Sequence, residues 1–302
     1  MLKRIKKDMK RYAGLYLLVV PVVLYYLIFH YIPMGGVLVA FQDYKPRRGI
    51  WGSEWVGLQH FRDFINSIYF GRALRNTLRI SLTQLVIGFP APIILALLIN
   101  ELKNVKFKKL VQTVSYLPHF ISLVIICAMV KEFVSTNGFI TQFLVDTLGI
   151  QKVSLLTNKD FYVPVHVISG IWTTVGFGSI IFLAALSGIN MELYDAAAID
   201  GAGRFRQVIH VTIPGIAPTI IIKLLLNIGS IMSLGHEKII LLYNEGIYET
   251  ADVISTYVYR KGLLDAEWSF STAVGLFNSV INFALIMIAN RISAKVSEIS
   301  LW

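Results

Sequence analysis

The sequence predicts an all-α membrane protein: a polytopic bundle of six transmembrane helices. Its 302 residues are 55% hydrophobic and only 15% charged, with a mean hydropathy of +0.64. This composition is more apolar than the core of a soluble protein of this length requires. Six windows are long and apolar enough to cross a bilayer, and lysine and arginine cluster beside them.

Each predicted span is a stretch of about 20 mainly apolar residues, the length that a helix needs to cross the hydrocarbon core. The six windows are Leu15–Val39, Thr77–Leu98, Leu110–Val134, Val163–Ile189, Ile216–Leu234 and Ala273–Ile292. The basic start followed by the first window resembles a signal peptide, but the window is too long and lacks a small-residue cleavage site. It is therefore expected to remain as an uncleaved first span.

The distribution of basic residues predicts the orientation of the spans. With the N-terminus inside, fourteen lysines and arginines fall in four short inner segments and twelve in three longer outer loops. Both termini are then cytoplasmic, with tails at 1–12 and 293–302, a six-span bundle at 13–292 and a cytoplasmic segment at 190–215, all in one transmembrane domain. The net charge of +10 fits anionic lipid headgroups rather than nucleic acid.

Proline and small residues predict details of helix shape and packing. Pro90 and Pro92 lie inside the second window and Pro118 lies inside the third, so both helices are expected to kink. Small residues recur every four positions in the fourth window and around the sixth, which favours close helix contacts or arises by chance in glycine-rich spans. These residues are Gly170, Thr174 and Gly178, and Ser271, Gly275 and Ser279.

The charged segment between the fourth and fifth windows has the pattern of two short helices. Asn190 is a suitable N-cap for a first helix that carries Glu192 and Asp195 in its first turns, followed by Ala196, Ala197 and Ala198. Gly201 and Gly203 are expected to end or bend this helix. A second helix with Arg204 and Arg206 on one side is expected to stop before Pro214. A surface paved with alanine either lies on lipid or is covered by another protein.

The stretch "DAAAIDGAGRFRQVIHVTIP" resembles the EAA loop of permease subunits of bacterial ABC importers. Asp195 matches the acid of that motif, Ala196 and Ala197 its alanines, Gly201 its glycine and Pro214 its proline, and Arg204 lies within the same loop. Asp195, Val211 and Ile213 depart from the usual Glu, Ile and Leu, and the shorter carboxylate of Asp195 reaches one methylene less far. Stretches such as "FHYIPMGGVLVAFQDYKP" and "WVGLQHFRDF" are similar to sugar permeases of the lipo-oligosaccharide and alginate type.

The resemblance implies a type I importer in the bacterial cytoplasmic membrane that takes up an oligosaccharide. The implied partners are a second permease subunit, two cytoplasmic ATPase domains that bind ATP and Mg, and an extracytoplasmic solute-binding protein. The loop would then couple ATPase closure to the spans. Gly201→Asp or Ala197→Glu is expected to leave a folded protein that no longer couples.

Several kinds of chemistry are absent from the sequence. It has neither the phosphate-binding loop of ATPases nor the G-x-S-x-G motif of esterases, and its six histidines are scattered. Neither enzymatic activity nor a cofactor or metal is therefore expected in this chain. An ABC permease for a solute other than sugar and a stand-alone secondary transporter remain alternatives.

Four residues are candidates for the substrate path. Lys223 and Asn227 lie one turn apart in the fifth window, where Lys223 either faces the path or extends to the cytoplasmic boundary. Trp172 and Thr173 in the fourth window either bind a sugar ring or pack between helices. Glu245, Glu249 and Asp252 in the third outer loop either contact a partner such as the binding protein or, as the favoured expectation, are solvated.

Overall fold

The computed structural model describes residues 11–302, so most of the predicted basic tail lies outside the described residues. Five helices are long and apolar enough to cross a membrane, or six if one sharply bent pair counts as a single span. We number them span 1, Ala13–Phe41; span 2, Phe70–Asn100; span 3, the pair Val105–Phe120 and Leu123–Phe133; span 4, Lys159–Ser187; span 5, Arg204–Ile228; and span 6, Trp268–Ser297. The all-α prediction is confirmed, and the helices mostly begin and end several residues away from the predicted windows.

The other elements are short and connect the spans. Helices cover Gly49–Gly52, Gln59–Asn66, Phe139–Leu148, Met191–Ile199, His236–Leu242, Tyr248–Ala251 and Ile254–Tyr259. Shorter helical turns cover Leu155–Thr157, Glu245–Ile247 and Arg260–Leu264. Two strands, β1 Gln42–Asp43 and β2 Glu54–Trp55, form an antiparallel pair in which Gln42 lies opposite Trp55.

Wide π-helical turns let three spans continue through proline. The turns Leu27–Tyr31, Gln84–Gly88 and Val208–Thr212 end two residues before Pro33, Pro90 and Pro214, respectively. At the last, the carbonyl of Val208 accepts from the backbone N–H of Ile213, five residues on. The prediction that a second short helix stops before Pro214 is therefore wrong, because span 5 runs without a break from Arg204 to Ile228.

Span 3 shows the opposite response to proline. Its first helix passes into a tight turn, Leu117–Phe120, and the chain is extended at Ile121 and Ser122 before the second helix begins. The two halves meet at 101°. The predicted kink at Pro118 is thus a break in the helix.

The chain forms two compact units. The first contains the described part of Met1–Asn66 together with Lys261–Leu276. Within it, Phe64 is fully buried with its ring 6.2 Å from that of Phe270, and the backbone N–H of Tyr44 donates to Ser269 Oγ. These contacts join the β1–β2 region to the start of span 6.

The second unit contains Ser67–Arg260 and Phe277–Trp302 and has span 4 at its centre, packed against spans 2, 3 and 5. Two of the predicted small residues contact neighbours here: a Cβ on Gly178 would lie 3.3 Å from Pro92, and one on Gly170 3.1 Å from Lys238 Nζ. The closest helix approach occurs at Gly176, which the sequence pattern missed and where a Cβ would clash with the backbone of Ser115.

Candidate functional site

A polar cavity of about 430 Å³ lies within the second unit. Its walls come from spans 2, 3, 4 and 5 and from the segment that follows span 5. The polar lining residues are Ser81 and Gln84 of span 2, His166, Thr173 and Thr174 of span 4, Asn227 of span 5, and Ser230, Ser233, Glu237 and Lys238 beyond it. Cavities of this size with a few convergent polar groups are typical binding sites for small molecules.

The hydroxyl groups of the cavity present mainly acceptor oxygens. Thr173 and Thr174 donate to the carbonyl of Gly170 at 2.9 and 2.8 Å, and Ser230 donates to the carbonyl of Asn227 at 3.2 Å. Because each hydroxyl proton is used within its own helix, the oxygen lone pairs remain to accept hydrogen bonds from a ligand. Sugar hydroxyls are such donors.

Lys238 carries a positive charge to the cavity wall. Its Nζ donates to the carbonyl of His166 at 2.7 Å, and burial lowers the pKa of Lys238 to about 8. The missing side chain of Gly170 leaves room for the ammonium group. Lys238 therefore remains mostly protonated at neutral pH.

Two buried polar atoms of cavity-lining residues have no hydrogen-bond partner within residues 11–302. They are Ser81 Oγ and His166 Nδ1, and both residues are less than 10% exposed. Unpaired buried polar atoms are uncommon and costly in folded proteins. Both atoms have almost no exposed surface, so they lie behind the cavity wall and not on it.

The structure brings together two of the four predicted path residues. Thr173 and Asn227 line the cavity, whereas Trp172 and Lys223 do not. Trp172 is 39% exposed, one residue from the cavity on another side of span 4. The sequence missed Lys238, which looked like an ordinary loop lysine because the short helix His236–Leu242 is too brief to show a pattern.

The predicted cytoplasmic segment begins with the helix Met191–Ile199, which we call the loop helix. As predicted, Asn190 is its N-cap and accepts from the backbone N–H of Glu192 at 3.0 Å. At its other end, Gly201 has φ of +75°. The N–H of Gly201 donates to Ala198 and that of Ala202 to Ala197, which together form a Schellman cap. The positive φ thus favours glycine at position 201 whether or not this residue also contacts an ATPase.

The loop helix is fastened to the start of span 5. The hydroxyl of Tyr194 lies 3.0 Å from Thr212 Oγ1, and Thr212 is buried. Gln207 Nε2 donates to the carbonyl of Ala202 at 3.1 Å. These two contacts connect the loop helix and the turn after it to the start of span 5.

The outer surface of this segment is accessible. Of the predicted coupling residues, Asp195, Ala196, Gly201, Arg204 and Pro214 are exposed and Ala197 is half-buried. Large apolar side chains are exposed beside them, with Ile199 at 87% and Phe205 at 78%. An accessible apolar surface on a small-residue helix is suited to contact with another protein.

A second charged cluster, which we call the Asp252 cluster, lies in the same unit. Asp252 is completely buried, and its carboxylate accepts from Arg260 at 2.8 Å, from Arg72 at 3.0 Å and from Thr256 at 2.8 Å. Asn76 donates to the carbonyls of Asp252 and Glu249, both at 2.9 Å. The expectation that Asp252 is solvated is wrong, because this cluster joins the start of span 2 to the segment after span 5.

Apolar spans that enclose a polar cavity and carry a fastened, accessible helix between spans 4 and 5 define a membrane transport protein. Residues 68–298 match the family model described as the binding-protein-dependent transport system inner membrane component. The chain belongs to this family.

Two curated relatives match over nearly their whole length. Protein LplB of Bacillus subtilis (strain 168) is 45% identical over 96% of this chain and 91% of that protein. The polygalacturonan/rhamnogalacturonan transport system permease protein YteP of the same organism is 42% identical over 98% of this chain and 92% of that protein.

A solved structure shares the fold. It is a bacterial alginate ABC transporter in complex with an alginate pentasaccharide-bound periplasmic protein, and one of its chains matches with a TM-score of 0.89 and 41% identity. The match covers 99% of this chain and all of the other. The chain is thus an integral membrane permease of the ABC transporter class, as the sequence resemblance implied.

Proposed function

We propose that this chain forms one side of the path of an oligosaccharide through a bacterial cytoplasmic membrane, in an importer driven by a separate ATPase. The supporting observation is the polar cavity of about 430 Å³, which lies among apolar spans and offers acceptor oxygens to sugar hydroxyls. The names of YteP and of the alginate transporter support an oligosaccharide as the solute.

The loop helix is the proposed contact with the ATPase. Asp195, Ala196, Ala197 and Gly201 form its small-surfaced part, and Arg204 and Pro214 belong to the helix that receives its movement. A stiff helix that is capped at both ends and fastened to span 5 transmits rigid-body motion better than a flexible loop does. ATP and Mg are bound by the partner, and this chain supplies the mechanical link.

The remaining partners follow from the same proposal. A second permease subunit completes the path, and an extracytoplasmic solute-binding protein delivers the oligosaccharide. Both termini are placed on the cytoplasmic side together with the loop helix. The distribution of lysine and arginine supports this orientation.

The coupling role is tested with Ala196→Glu. Ala196 is exposed, so a larger side chain there disturbs no packing within the chain. We expect the variant to reach the membrane at normal levels while ATP-dependent uptake falls about tenfold or more, because the added bulk blocks the ATPase contact. Uptake into proteoliposomes that contain all subunits measures this, and co-purification of the ATPase reports the contact itself.

The matched control is Ala294→Glu, the same change at an exposed alanine of span 6. It is expected to preserve both uptake and ATPase retention. Full uptake by the Ala196→Glu variant would refute the coupling role. Gly201→Asp is a weaker test than the sequence suggested, because any side chain at φ +75° strains the helix cap even without a partner. Uptake by the subunit alone would favour a secondary transporter.

A further inference from the structure

We propose that Lys238 is a specificity-determining residue of the cavity and binds a carboxylate group of the transported sugar. The inference rests on the proposed function and narrows its substrate to oligosaccharides that contain uronate residues. It is carried by the position of the ammonium group, by its partners and by the other groups around the cavity.

Lys238 has no negative partner in the part of the chain that the structure describes. Its one hydrogen bond goes to a main-chain carbonyl, that of His166, so two of its three N–H donors are not used within residues 11–302. Glu237 also lines the cavity but is solvent-exposed and forms no ion pair with Lys238 within these residues. Buried charges are usually paired, and a cavity wall is a place where the partner can be a ligand.

The other buried basic groups of the same unit are treated differently. Arg72 and Arg260, both partly buried, share the carboxylate of Asp252. This fold therefore supplies an acid to pair its basic side chains where they serve packing. Lys238 forms no ion pair within residues 11–302, although Glu237 also lines its cavity.

The surroundings of Lys238 suit a carboxylate that belongs to a sugar. Hydroxyl oxygens of Thr173 and Thr174 lie along the same wall and accept hydrogen bonds from sugar hydroxyls. Lys238 is the one lysine or arginine among the cavity-lining residues, so it distinguishes an acidic sugar from a neutral one.

The relatives are consistent with this substrate class. YteP is named for polygalacturonan and rhamnogalacturonan, and the matching crystal structure is of a transporter of alginate, bound to an alginate pentasaccharide through its periplasmic protein. The choice of Lys238 rests on its position in the cavity and not on these relatives.

The test compares two ligands that differ only in charge, the trimer of galacturonate and its fully methyl-esterified form. Uptake is measured with the complete importer in proteoliposomes, with the binding protein saturated by each ligand so that its own affinity does not enter. Lys238→Met is expected to lower uptake of the acidic trimer by about tenfold to a hundredfold, the loss typical of a hydrogen bond to a charged group. Uptake of the methyl ester is expected to stay within about twofold of wild type.

Two further variants serve as controls. Lys238→Arg keeps the positive charge and is expected to retain most uptake of the acidic trimer. Lys152→Met removes an exposed loop lysine and is expected to change neither ligand's uptake. If Lys238→Met does not assemble, Gly170→Ala replaces it, because its methyl group would lie 3.1 Å from Nζ and displace the ammonium group. It is expected to reduce uptake of the acidic trimer more than that of the methyl ester.

Equal losses for both ligands would overturn the inference, since Lys238 would then only hold its helix against span 4. Equal uptake of the acidic trimer and its methyl ester by the wild-type importer would overturn the inference as well, while leaving the proposed function intact. Failure of the wild-type importer to transport either trimer, or any other oligosaccharide, would overturn both.

Discussion

Two buried charges in the second unit show how the same fold uses ionic groups for different purposes. Asp252 is completely buried and accepts hydrogen bonds from two arginines and a threonine, so its charge is fully paired inside the protein. Within residues 11–302, Lys238 donates one hydrogen bond, to a main-chain carbonyl, and it faces a cavity. The paired charges of the Asp252 cluster fix the positions of helices, whereas the unpaired charge of Lys238 remains to bind a ligand. Loss of the first should damage stability, and loss of the second should damage selectivity.

The largest effect is expected from Asp252→Ala. The change leaves two partly buried guanidinium groups without their carboxylate, which typically costs about 3–5 kcal/mol. We expect a large fall in the thermal midpoint of the detergent-purified protein, measured by size-exclusion chromatography after heating. Asp43→Ala, which breaks an exposed ion pair with Lys45, is the control and should cost about 1 kcal/mol or less. Equal midpoints for the two variants would show that the Asp252 cluster does not hold the fold.

A smaller loss is expected from Thr256→Val, which removes one donor to Asp252 without changing side-chain volume. Thr256 is completely buried, and its hydroxyl also accepts from the backbone N–H of Val253 at 3.0 Å. The expected cost is about 1–3 kcal/mol, in the same heating assay. Thr147→Val is the control, because Thr147 is exposed and its hydroxyl donates only to the carbonyl of Phe143. A Thr256→Val variant as stable as this control would count against the cluster.

The smallest effect is a dependence of stability on pH that comes from Lys238. Its pKa is about 8 in the folded protein and about 10.5 when unfolded, so between these values the unfolded state binds more protons. Stability should therefore rise with pH in this interval for the wild type but not for Lys238→Met, and the gap between their midpoints should narrow from pH 8 to pH 10. His166, Cys127 and Glu237 are present in both proteins, so the difference reports Lys238 together with its interactions with these groups. A constant gap would place Lys238 in water rather than in the protein.

The spans and the ends of the loop helix could be predicted because they depend on residues close together in the sequence. The apolar windows give the spans, Asn190 gives the start of the loop helix, and Gly201 adopts the positive φ that favours glycine. The effect of each proline on its helix could not be predicted in the same way. The helix continues through Pro214 by way of a wide turn, whereas it breaks at Pro118. Which of the two occurs depends on packing against other helices, and the residues adjacent in sequence do not determine it.

The two charged sites could not be predicted because their partners are distant in the chain. Asn76 and Asp252 are 176 residues apart, and Lys238 meets His166 across 72 residues. The residues around Asp252 have the composition of a solvated loop. Asp252 is buried because the folded chain brings Arg72 and Arg260 to its carboxylate. Thr173 and Asn227 line the cavity, and both were noticed because polar residues stand out inside apolar spans. Trp172 lies on another side of span 4, and Lys223 lies one turn further from the cavity along span 5.

The central claim is that the cavity beside Lys238 holds the transported sugar. Cryo-electron microscopy of the complete importer, trapped with the galacturonate trimer after release from its binding protein, tests it directly. The account predicts density for the trimer between spans 4 and 5, with a carboxylate oxygen about 2.7–2.9 Å from Lys238 Nζ. A trimer bound elsewhere in the importer, with Lys238 in contact only with protein or water, would contradict it.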